Sequence, residues 1–138
     1  MNEGPTRILP ELRPENEEFW TAGSAGELRI LRCAACRHYI HPPAPVCPQC
    51  LGRQLATEPV CGRAQVLTFT INHQPWIPGF EPPYVIAIVE LVEQTGLRLT
   101  TNITGCDPDD VSIGMKVRVR FEDAGEGVFL PLFAPEQA

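Results

Sequence analysis

Four cysteines stand close together in the segment "CAACRHYIHPPAPVCPQC" and give this chain its most specific chemical signal. They form two Cys-x-x-Cys pairs, Cys33 with Cys36 and Cys47 with Cys50, with ten residues between the pairs. Zn²⁺ prefers four tetrahedral ligands and accepts thiolates readily. The spacing therefore predicts a Cys₄ zinc site. Because four thiolates leave no open coordination position, we expect this metal to hold the fold and to do no chemistry.

Other interpretations of the cysteines are weaker. A thioredoxin-like redox motif normally stands alone beside a parallel sheet, and a disulfide framework needs an oxidising compartment. The N-terminus has neither the basic nor the apolar region of a secretory signal, and no apolar run reaches the roughly 18 residues that span a bilayer. We therefore expect a cytoplasmic protein that does not associate with a membrane. Iron in place of zinc stays open, because sequence separates these two metals poorly.

The charge of the chain argues against a general nucleic-acid-binding protein. The formal net charge is −6, whereas such proteins depend on Lys and Arg to neutralise phosphates. The basic residues are ten Arg and a single Lys, Lys116. Hydrophobic residues make up 43% of the 138 residues, so the chain can bury a core of one domain or of one domain with a small module.

The segments on either side of the cysteines predict a small ribbon. Residues 14–22 begin with a proline followed by acidic residues, which favours the start of a short helix. "ELRILRC" predicts a strand that leads into the first cysteine pair, and "RQLATEPV" a strand that closes the ribbon after the second. We divide the chain into residues 1–27 (N-terminal arm and short helix), residues 28–60 (zinc ribbon) and residues 61–138 (barrel).

The remainder of the chain predicts five short strands separated by turns. "AQVLTFTIN" places Leu67, Phe69 and Ile71 on one face, and "LRLTTNIT" and "KVRVRFE" also alternate with a period of two. "PYVIAIVEL" is nearly continuous in apolar residues, as expected for a strand buried on both faces, and "GVFLPLF" supplies the last strand. The fold class is therefore mainly β, with an OB-fold barrel as the best fit and a small sandwich as the second.

The other residues that could do chemistry form no catalytic set. His38, His41 and His73 are isolated, and no catalytic triad, carboxylate pair or phosphate-binding loop emerges. Cys61 and Cys106 are expected to be small buried residues. A turn with helix-capping side chains explains the acidic residues of "CDPDDVSIGM" better than a metal site does.

The order of these features resembles a known family over about residues 14–133. The resemblance rests on "PENEEFWTAGSAGELRILRCAACRHYIHPPAPVCPQC", "VCGRAQVLTFTINH", "PPYVIAIVEL", "TNITGCDPDDVSIGMKVRVRFE" and "LPLF". Together they are similar to the zinc-ribbon plus OB-fold proteins that accompany thiolases, a family that long carried a domain-of-unknown-function label. The resemblance implies an N-terminal helical segment, a rubredoxin-like zinc ribbon and a C-terminal OB-fold barrel.

The same resemblance implies a function. Members of this family are generally non-catalytic partners of thiolase-superfamily enzymes and help to handle acyl-CoA, and some are fused to hotdog-fold, MaoC-like hydratase domains. One such pairing serves steroid side-chain degradation, in which a thiolase-like aldolase cleaves a steroid-CoA thioester by retro-aldol chemistry. The chain is therefore expected to be an accessory subunit that binds such an enzyme and shares its acyl-CoA.

A cluster of arginines in the ribbon is the candidate for contact with CoA. Residues 29–63 contain five Arg and one acidic residue, Glu58, although the whole chain is negative. Arg32 and Arg37 are predicted to make the main contacts, through charge-assisted hydrogen bonds to the phosphates of CoA. A solvated surface, or ion pairs with an acidic partner, are the alternatives.

Three aromatic residues are the candidates for the partner interface. Trp76 and Phe80 lie in the proline-rich segment "HQPWIPGFEPPY", and stiff aromatic segments lose little entropy when they bind. The alternative is that this loop caps the end of the barrel. Trp20, in the N-terminal helix, poses the same choice between packing and partner contact.

Two other functions remain as alternatives. A nucleic-acid-binding ribbon and OB module is disfavoured by the net charge and by the scarcity of aromatic residues on the strands. An independent acyl-CoA-binding or acyl-CoA-hydrolysing protein is disfavoured by the missing catalytic set.

Overall fold

The computed structural model describes residues 8–76 and 81–136 and is mainly β. Within these ranges one α-helix, α1 (Glu17–Thr21), continues into a 3₁₀ turn at Ala22–Ala25, and a second 3₁₀ turn spans Pro108–Asp110. The strands are β1 (Leu28–Cys33), β2 (Tyr39–Ile40), β3 (Leu55–Val60), β4 (Arg63–Asn72), β5 (Tyr84–Leu91), β6 (Arg98–Ile103), β7 (Lys116–Gly125) and β8 (Val128–Pro135). The predicted fold class is confirmed.

The N-terminal helix is short and depends on packing. Glu17 and Glu18 occupy its first turn, where carboxylates stabilise the positive end of the helix dipole. Gly26 ends the helical segment with a left-handed φ of 76°. A helix of this length is not stable in isolation, so the buried side chain of Phe19 is what holds it to the protein. Throughout the described part of the chain, no helix has the length and apolar character needed to cross a membrane.

The three strands of the ribbon form a sheet with β1 in the centre, in the order β2-β1-β3. Both neighbours run antiparallel to β1, with Leu31 opposite Ile40 and Cys33 opposite Leu55. The strand expected to close the ribbon is β3, and β1 leads into the first cysteine pair as predicted. The register brings the ends of the sheet close to both cysteine turns.

The other five strands form a closed barrel in the order β4-β5-β6-β8-β7. Each neighbouring pair is antiparallel except β6 and β8, which meet in parallel at Ile103 and Phe133. This arrangement confirms the predicted OB-type barrel. The alternation predicted for β6 is also confirmed, because Leu99, Thr101 and Ile103 are all buried.

The structure adds a bulge to one predicted strand, and it shows that the prediction for another strand is wrong. In β4 the pairing with β5 shifts between Val66 and Thr68, which marks a β-bulge at Leu67. Val66 before the bulge is fully buried. From the bulge onward, Leu67, Phe69 and Ile71 are half-buried and alternate with exposed threonines, as predicted for one face. In β5 only alternate residues are buried, and Ile86 is 38% exposed, so this strand has one solvent-facing side.

The ribbon and the barrel share one hydrophobic core. Phe19, Leu28, Ile30 and Tyr39 pack in the same cluster as the inward-facing residues of the barrel. The side chain of Gln94, in the turn between β5 and β6, completes the junction. Its amide oxygen accepts the N–H of Tyr39 at 2.8 Å, and its amide nitrogen donates to the carbonyl of Tyr39 at 3.0 Å. Gln94 thus pairs with the backbone of β2 much as a neighbouring strand would.

Candidate metal centre and its surroundings

Two matching turns hold the four cysteines. In the first turn the N–H of Arg37 donates to the carbonyl of Cys33 at 3.0 Å, and in the second the N–H of Leu51 donates to the carbonyl of Cys47 at 2.9 Å. Arg37 and Leu51 occupy the same place in their turns, and both have a left-handed backbone, with φ values of 68° and 64°. The repeated backbone geometry directs both cysteine pairs toward a common point.

The sulfur atoms form a cluster of the size that zinc requires. The Sγ atoms of Cys33, Cys36, Cys47 and Cys50 all lie within 4.8 Å of one another. The distances from Cys33 to Cys50 and from Cys36 to Cys47 are both 3.6 Å. Thiolates bound about 2.3 Å from a tetrahedral zinc lie about 3.8 Å from each other. The donor set therefore fits a structural Zn²⁺ held by these four residues, which would constrain the fold and take no part in a reaction.

The local backbone favours thiolates at this centre. The N–H of Cys36 is the main cause that lowers the pKa of Cys33 to about 6. The N–H of His38 acts in the same direction on Cys36, but burial and the neighbouring thiols raise the pKa of Cys36 to about 12. The N–H of Gln49 lies 3.4 Å from the Sγ atom of Cys47. Gly52 also packs closely on the centre, since a Cβ atom there would lie 3.2 Å from the Sγ atom of Cys50. The first cysteine of each turn is buried and the second is exposed, so the centre has one side toward solvent.

The histidines do not join this centre. Among the described residues, the only group of three or more His, Cys, Asp or Glu that could hold a metal is the four cysteines. His41 instead packs beside Phe19, with 4.8 Å between the ring centroids. Burial lowers the pKa of His41 to about 4, so this ring is neutral at physiological pH.

The arginines predicted to contact CoA share one carboxylate of the same chain. Arg37 pairs with Glu58 at 2.9 Å, and Arg32 reaches the same carboxylate at 3.2 Å. The Nε–H of Arg32 also donates to the carbonyl of Arg37 at 2.7 Å, and its guanidinium lies 4.2 Å from the centre of the Tyr39 ring. The contact between these arginines and CoA stays a prediction, and the structure gives both side chains a structural role beside the zinc turns.

A third arginine of the ribbon is also paired. Arg29 lies 3.3 Å from Glu18 and 3.0 Å from Glu27, and it donates to the carbonyl of Thr57 at 2.9 Å. Both carboxylates precede residue 29 in the chain, so the charge count over residues 29–63 did not include them. The folded ribbon is therefore less positive than the sequence indicates.

The predicted interface residues differ in exposure. Trp76 is 72% exposed, and its Nε1–H donates to Asn72 at 2.7 Å. Trp20 packs against the core cluster and stacks edge-on against Phe19, with 4.8 Å between the ring centroids. Phe80 lies outside the described residues. The interface itself stays a prediction, with Trp76 as its most accessible described member.

The remaining cysteines are not both buried. Cys61 is exposed, so the prediction for it is wrong, and Cys106 is half-buried against the core cluster. Cys61 follows β3 directly, and its backbone N–H donates to the side chain of Glu93 at 2.7 Å. Partial desolvation of the sulfur is the largest cause that raises the pKa of each of these two thiols, so neither is an activated nucleophile.

Sequence reasoning missed a basic surface on the barrel. Lys116, Arg118 and Arg120 alternate along the outer side of β7, and Arg63 of β4 lies directly opposite Arg118. We call these four residues the basic face. The alternating "KVRVR" pattern was the available signal, but it was interpreted only as evidence for a strand.

Family models match most of the chain. Residues 20–56 match the rubredoxin-like zinc ribbon domain of ChsH2, and residues 57–122 match the C-terminal OB-fold domain of ChsH2. These two models cover the zinc centre and most of the barrel. The domain bounds expected from the sequence stay a prediction.

Several curated proteins are similar in sequence. A probable enoyl-CoA hydratase alpha subunit of Thermomonospora curvata is 40% identical over 129 residues, which are 94% of this chain and 40% of that protein. A 3-oxo-4,17-pregnadiene-20-carboxyl-CoA hydratase alpha subunit of Mycobacterium tuberculosis is 40% identical over 84% of this chain and 36% of that protein. This chain thus spans about two fifths of the length of these two relatives.

Proteins of similar length match as well. A DUF35 domain-containing scaffold protein of Methanocaldococcus jannaschii is 38% identical over 71% of this chain and 72% of that protein. A chain of the solved structure named Ltp2-ChsH2(DUF35) aldolase is 40% identical, with a TM-score of 0.83 over 92% of this chain and 98% of that one. Both relationships extend over the zinc ribbon and the barrel together. This chain therefore belongs to the DUF35 family and has the ChsH2 arrangement of a rubredoxin-like zinc ribbon and an OB-fold barrel.

Proposed function

We propose that this chain is a non-catalytic accessory subunit that binds a thiolase-superfamily enzyme acting on acyl-CoA. The observation that carries the proposal is the similarity to the chain of the Ltp2-ChsH2(DUF35) aldolase, because it covers 98% of that chain at 40% identity. The relative from Methanocaldococcus jannaschii, which is named a scaffold protein, supports the same role.

The chemistry of the partner is proposed from the names of the relatives. The aldolase supports a partner that cleaves a carbon–carbon bond, and the pregnadiene-carboxyl-CoA hydratase subunit supports a steroid-CoA thioester as substrate. On this proposal the partner is the retro-aldolase of steroid side-chain degradation. The two hydratase alpha subunits support a MaoC-like hydratase domain as a further partner.

The geometry of the zinc centre supports an accessory role. Four thiolates would fill the coordination sphere of zinc, so the metal would have no position at which to bind water or a substrate. The ribbon arginines that pair with acidic residues hold the sheet together. On this proposal the chain contributes a binding surface, and the enzyme that it binds contributes the reacting groups.

Trp76 is the described residue proposed to anchor the partner. A large aromatic side chain that is 72% exposed buries much apolar area when a partner covers it. Its hydrogen bond to Asn72 fixes the indole before binding, which reduces the entropy lost on association. Trp20 contributes less on this proposal, since its ring already packs against the core.

Co-expression tests the proposal directly. We expect this chain, expressed with a thiolase-like enzyme from the same organism, to co-purify in a fixed ratio and to elute with it from a sizing column. Trp76→Ala should weaken the complex by about tenfold or more, as expected for an interface hot spot. Ile113→Ala is the matched control, because Ile113 is equally exposed at 71% but belongs to a different loop.

Three outcomes would contradict the proposal. The first is that the chain elutes alone although the enzyme is present and folded. The second is salt-sensitive binding of a single-stranded oligonucleotide by the isolated chain, which would support the nucleic-acid module instead. The third is turnover of an acyl-CoA by the isolated chain, which would make it an enzyme in its own right.

A further inference from the structure

The basic face is a row of cations on one side of the barrel. Lys116, Arg118 and Arg120 are alternate residues of β7, so their side chains leave the same side of the strand about 6.8 Å apart. Arg63 stands opposite Arg118 on the neighbouring strand. Like charges in directly opposite positions destabilise a sheet, so this arrangement costs stability unless an anion compensates it.

Glu136 is the carboxylate that lies at the basic face. It pairs with Arg63 at 2.6 Å and lies 4.0 Å from Arg118. No carboxylate in the described parts of the chain comes within ion-pair distance of Arg120 or Lys116. The row of cations ends at Glu122, which is the next residue on this side of β7. The face therefore keeps a surplus of positive charge in a protein whose net charge is −6.

A groove of about 490 Å³ lies beside Arg118 and Arg120, two of the four residues of the basic face. Pro135 and Glu136 also line it. Gly105 also lines the groove with a left-handed φ of 77°, and a Cβ atom there would lie 3.3 Å from the Nη1 atom of Arg120. The missing side chain leaves the guanidinium room at the edge of the groove.

We propose that the basic face binds the phosphate groups of a small polyanion, the class to which the 3′-phosphate and the diphosphate of coenzyme A belong. Guanidinium groups bind phosphate oxygens in a planar, bidentate geometry, and a row of them can hold phosphates several ångströms apart. The inference rests on the proposed function for the source of the ligand, since an acyl-CoA enzyme presents this nucleotide to its accessory subunit.

The shape of the surface favours a small ligand over an acidic protein. The groove has a small lining that includes both Arg118 and Arg120, whereas a protein partner needs a broad surface. The backbone of β7 is hydrogen-bonded to β4 beside Arg118 and to β8 along its length, so an acidic peptide could not add there as another strand.

The alternative phosphate site in the ribbon is less suitable. Arg32 and Arg37 share Glu58, and a phosphate would have to displace that carboxylate from both of them. Arg120 has no such internal partner among the described residues. The phosphate contact that the sequence placed at the zinc turns is therefore proposed for the barrel instead.

Titration of the zinc-loaded full chain, without any partner, tests the inference. Calorimetry with coenzyme A should detect binding that weakens as salt is raised. Dephospho-coenzyme A, which lacks the 3′-phosphate, should bind more weakly, and pantetheine, which has no phosphate, should not bind detectably. Equal binding of pantetheine and coenzyme A would overturn the proposal, as would the absence of binding by coenzyme A at low salt.

Variants locate the site. Arg118→Gln and Arg120→Gln should each lose about tenfold in affinity, as expected for one charge-assisted hydrogen bond. Glu136→Gln should bind severalfold more tightly, because it removes the competing carboxylate. Arg98→Gln is the matched control, since Arg98 is an exposed arginine on β6 outside the basic face. Arg37→Gln tests the ribbon site.

The results separate this inference from the proposed function. Weakening by Arg37→Gln, with Arg118→Gln and Arg120→Gln unchanged, would overturn the barrel site in favour of the ribbon. Failure of the chain to bind coenzyme A would leave co-purification with a thiolase-like enzyme unaffected. Failure to co-purify would likewise leave the titration of the isolated chain unaffected.

Discussion

Two carboxylates, one in the ribbon and one on the barrel, each form ion pairs with two arginines. Glu58 lies between Arg32 and Arg37 beside the zinc turns, and Glu136 lies beside Arg63 on the barrel. The hydrogen bond from Arg63 is the largest cause that lowers the pKa of Glu136 below its usual value. Each carboxylate pairs with arginines that are distant in sequence, so both sets of ion pairs depend on the tertiary fold.

The lowered pKa of Glu136 predicts a dependence of stability on pH. A carboxyl group whose pKa is lower in the folded state stabilises the fold above its unfolded pKa of about 4.3, and this contribution is lost as pH falls through the folded value. Wild type should therefore be more stable than Glu136→Gln at pH 7, and the difference should shrink on acidification. Denaturant unfolding of both proteins between neutral and acidic pH measures it.

Glu126→Gln is the control for this series, because Glu126 is an exposed turn residue. Zinc loss in acid affects all three proteins alike, so the comparison at each pH isolates the carboxylate. A difference between wild type and Glu136→Gln that stays constant, or that grows as the pH falls, would show that the ion pair with Arg63 does not stabilise the fold.

At the scale of elements, the zinc turns have little core of their own. The buried cluster beneath them consists of Cys33, Ile40 and Cys47, and two of these are metal ligands. The base of the ribbon differs, since Leu28 and Ile30 of β1 pack in the barrel core. The two ends of the same sheet are therefore held by different forces, zinc at one end and hydrophobic packing at the other.

This difference predicts local unfolding when the metal site is broken. Cys50→Ser should lose zinc, and the amides of residues 33–54 should lose their protection from hydrogen exchange, because zinc contributes about 10–16 kcal/mol to the folding of comparable peptides. The amides of β4 to β8 should stay protected. Zinc analysis and hydrogen exchange measured by mass spectrometry check both statements.

Cys106→Ser is the matched control, since Cys106 is a half-buried thiol outside the zinc turns. It should keep both the metal and the protection of residues 33–54. Retention of zinc and of protection in Cys50→Ser would contradict a four-cysteine site. Loss of protection throughout the barrel would instead show that the barrel cannot hold its fold without the metal.

The whole molecule is one body because the ribbon and the barrel bury residues against each other. Phe19 and Tyr39 enter the barrel core, and Gln94 is hydrogen-bonded to both backbone groups of Tyr39. A well-packed junction suits the proposed role of a subunit that presents surfaces at fixed positions, because little order has to be gained on binding. Trp76 and the basic face would then be presented on one rigid framework.

Sequence alone could predict the features that depend on local pattern. The spacing of Cys33, Cys36, Cys47 and Cys50 predicted the cluster, and the alternation of β6 predicted its buried face. Features that depend on pairing across the fold could not be predicted. The partner of Arg63 is 73 residues away in the chain, and the bulge at Leu67 depends on the pairing of β4 with β5.

The central proposal is that this chain binds an acyl-CoA enzyme as a non-catalytic subunit and positions the groups of that enzyme. The most direct measurement is carbon–carbon bond cleavage of a β-hydroxyacyl-CoA thioester by the chain alone, by the thiolase-like enzyme alone and by their equimolar mixture. We predict no turnover by the chain, and a rate for the mixture about tenfold or more above that of the enzyme alone, because small errors in positioning cost rate steeply. Turnover by the chain alone, or an enzyme whose rate is the same with and without the chain, would contradict the account.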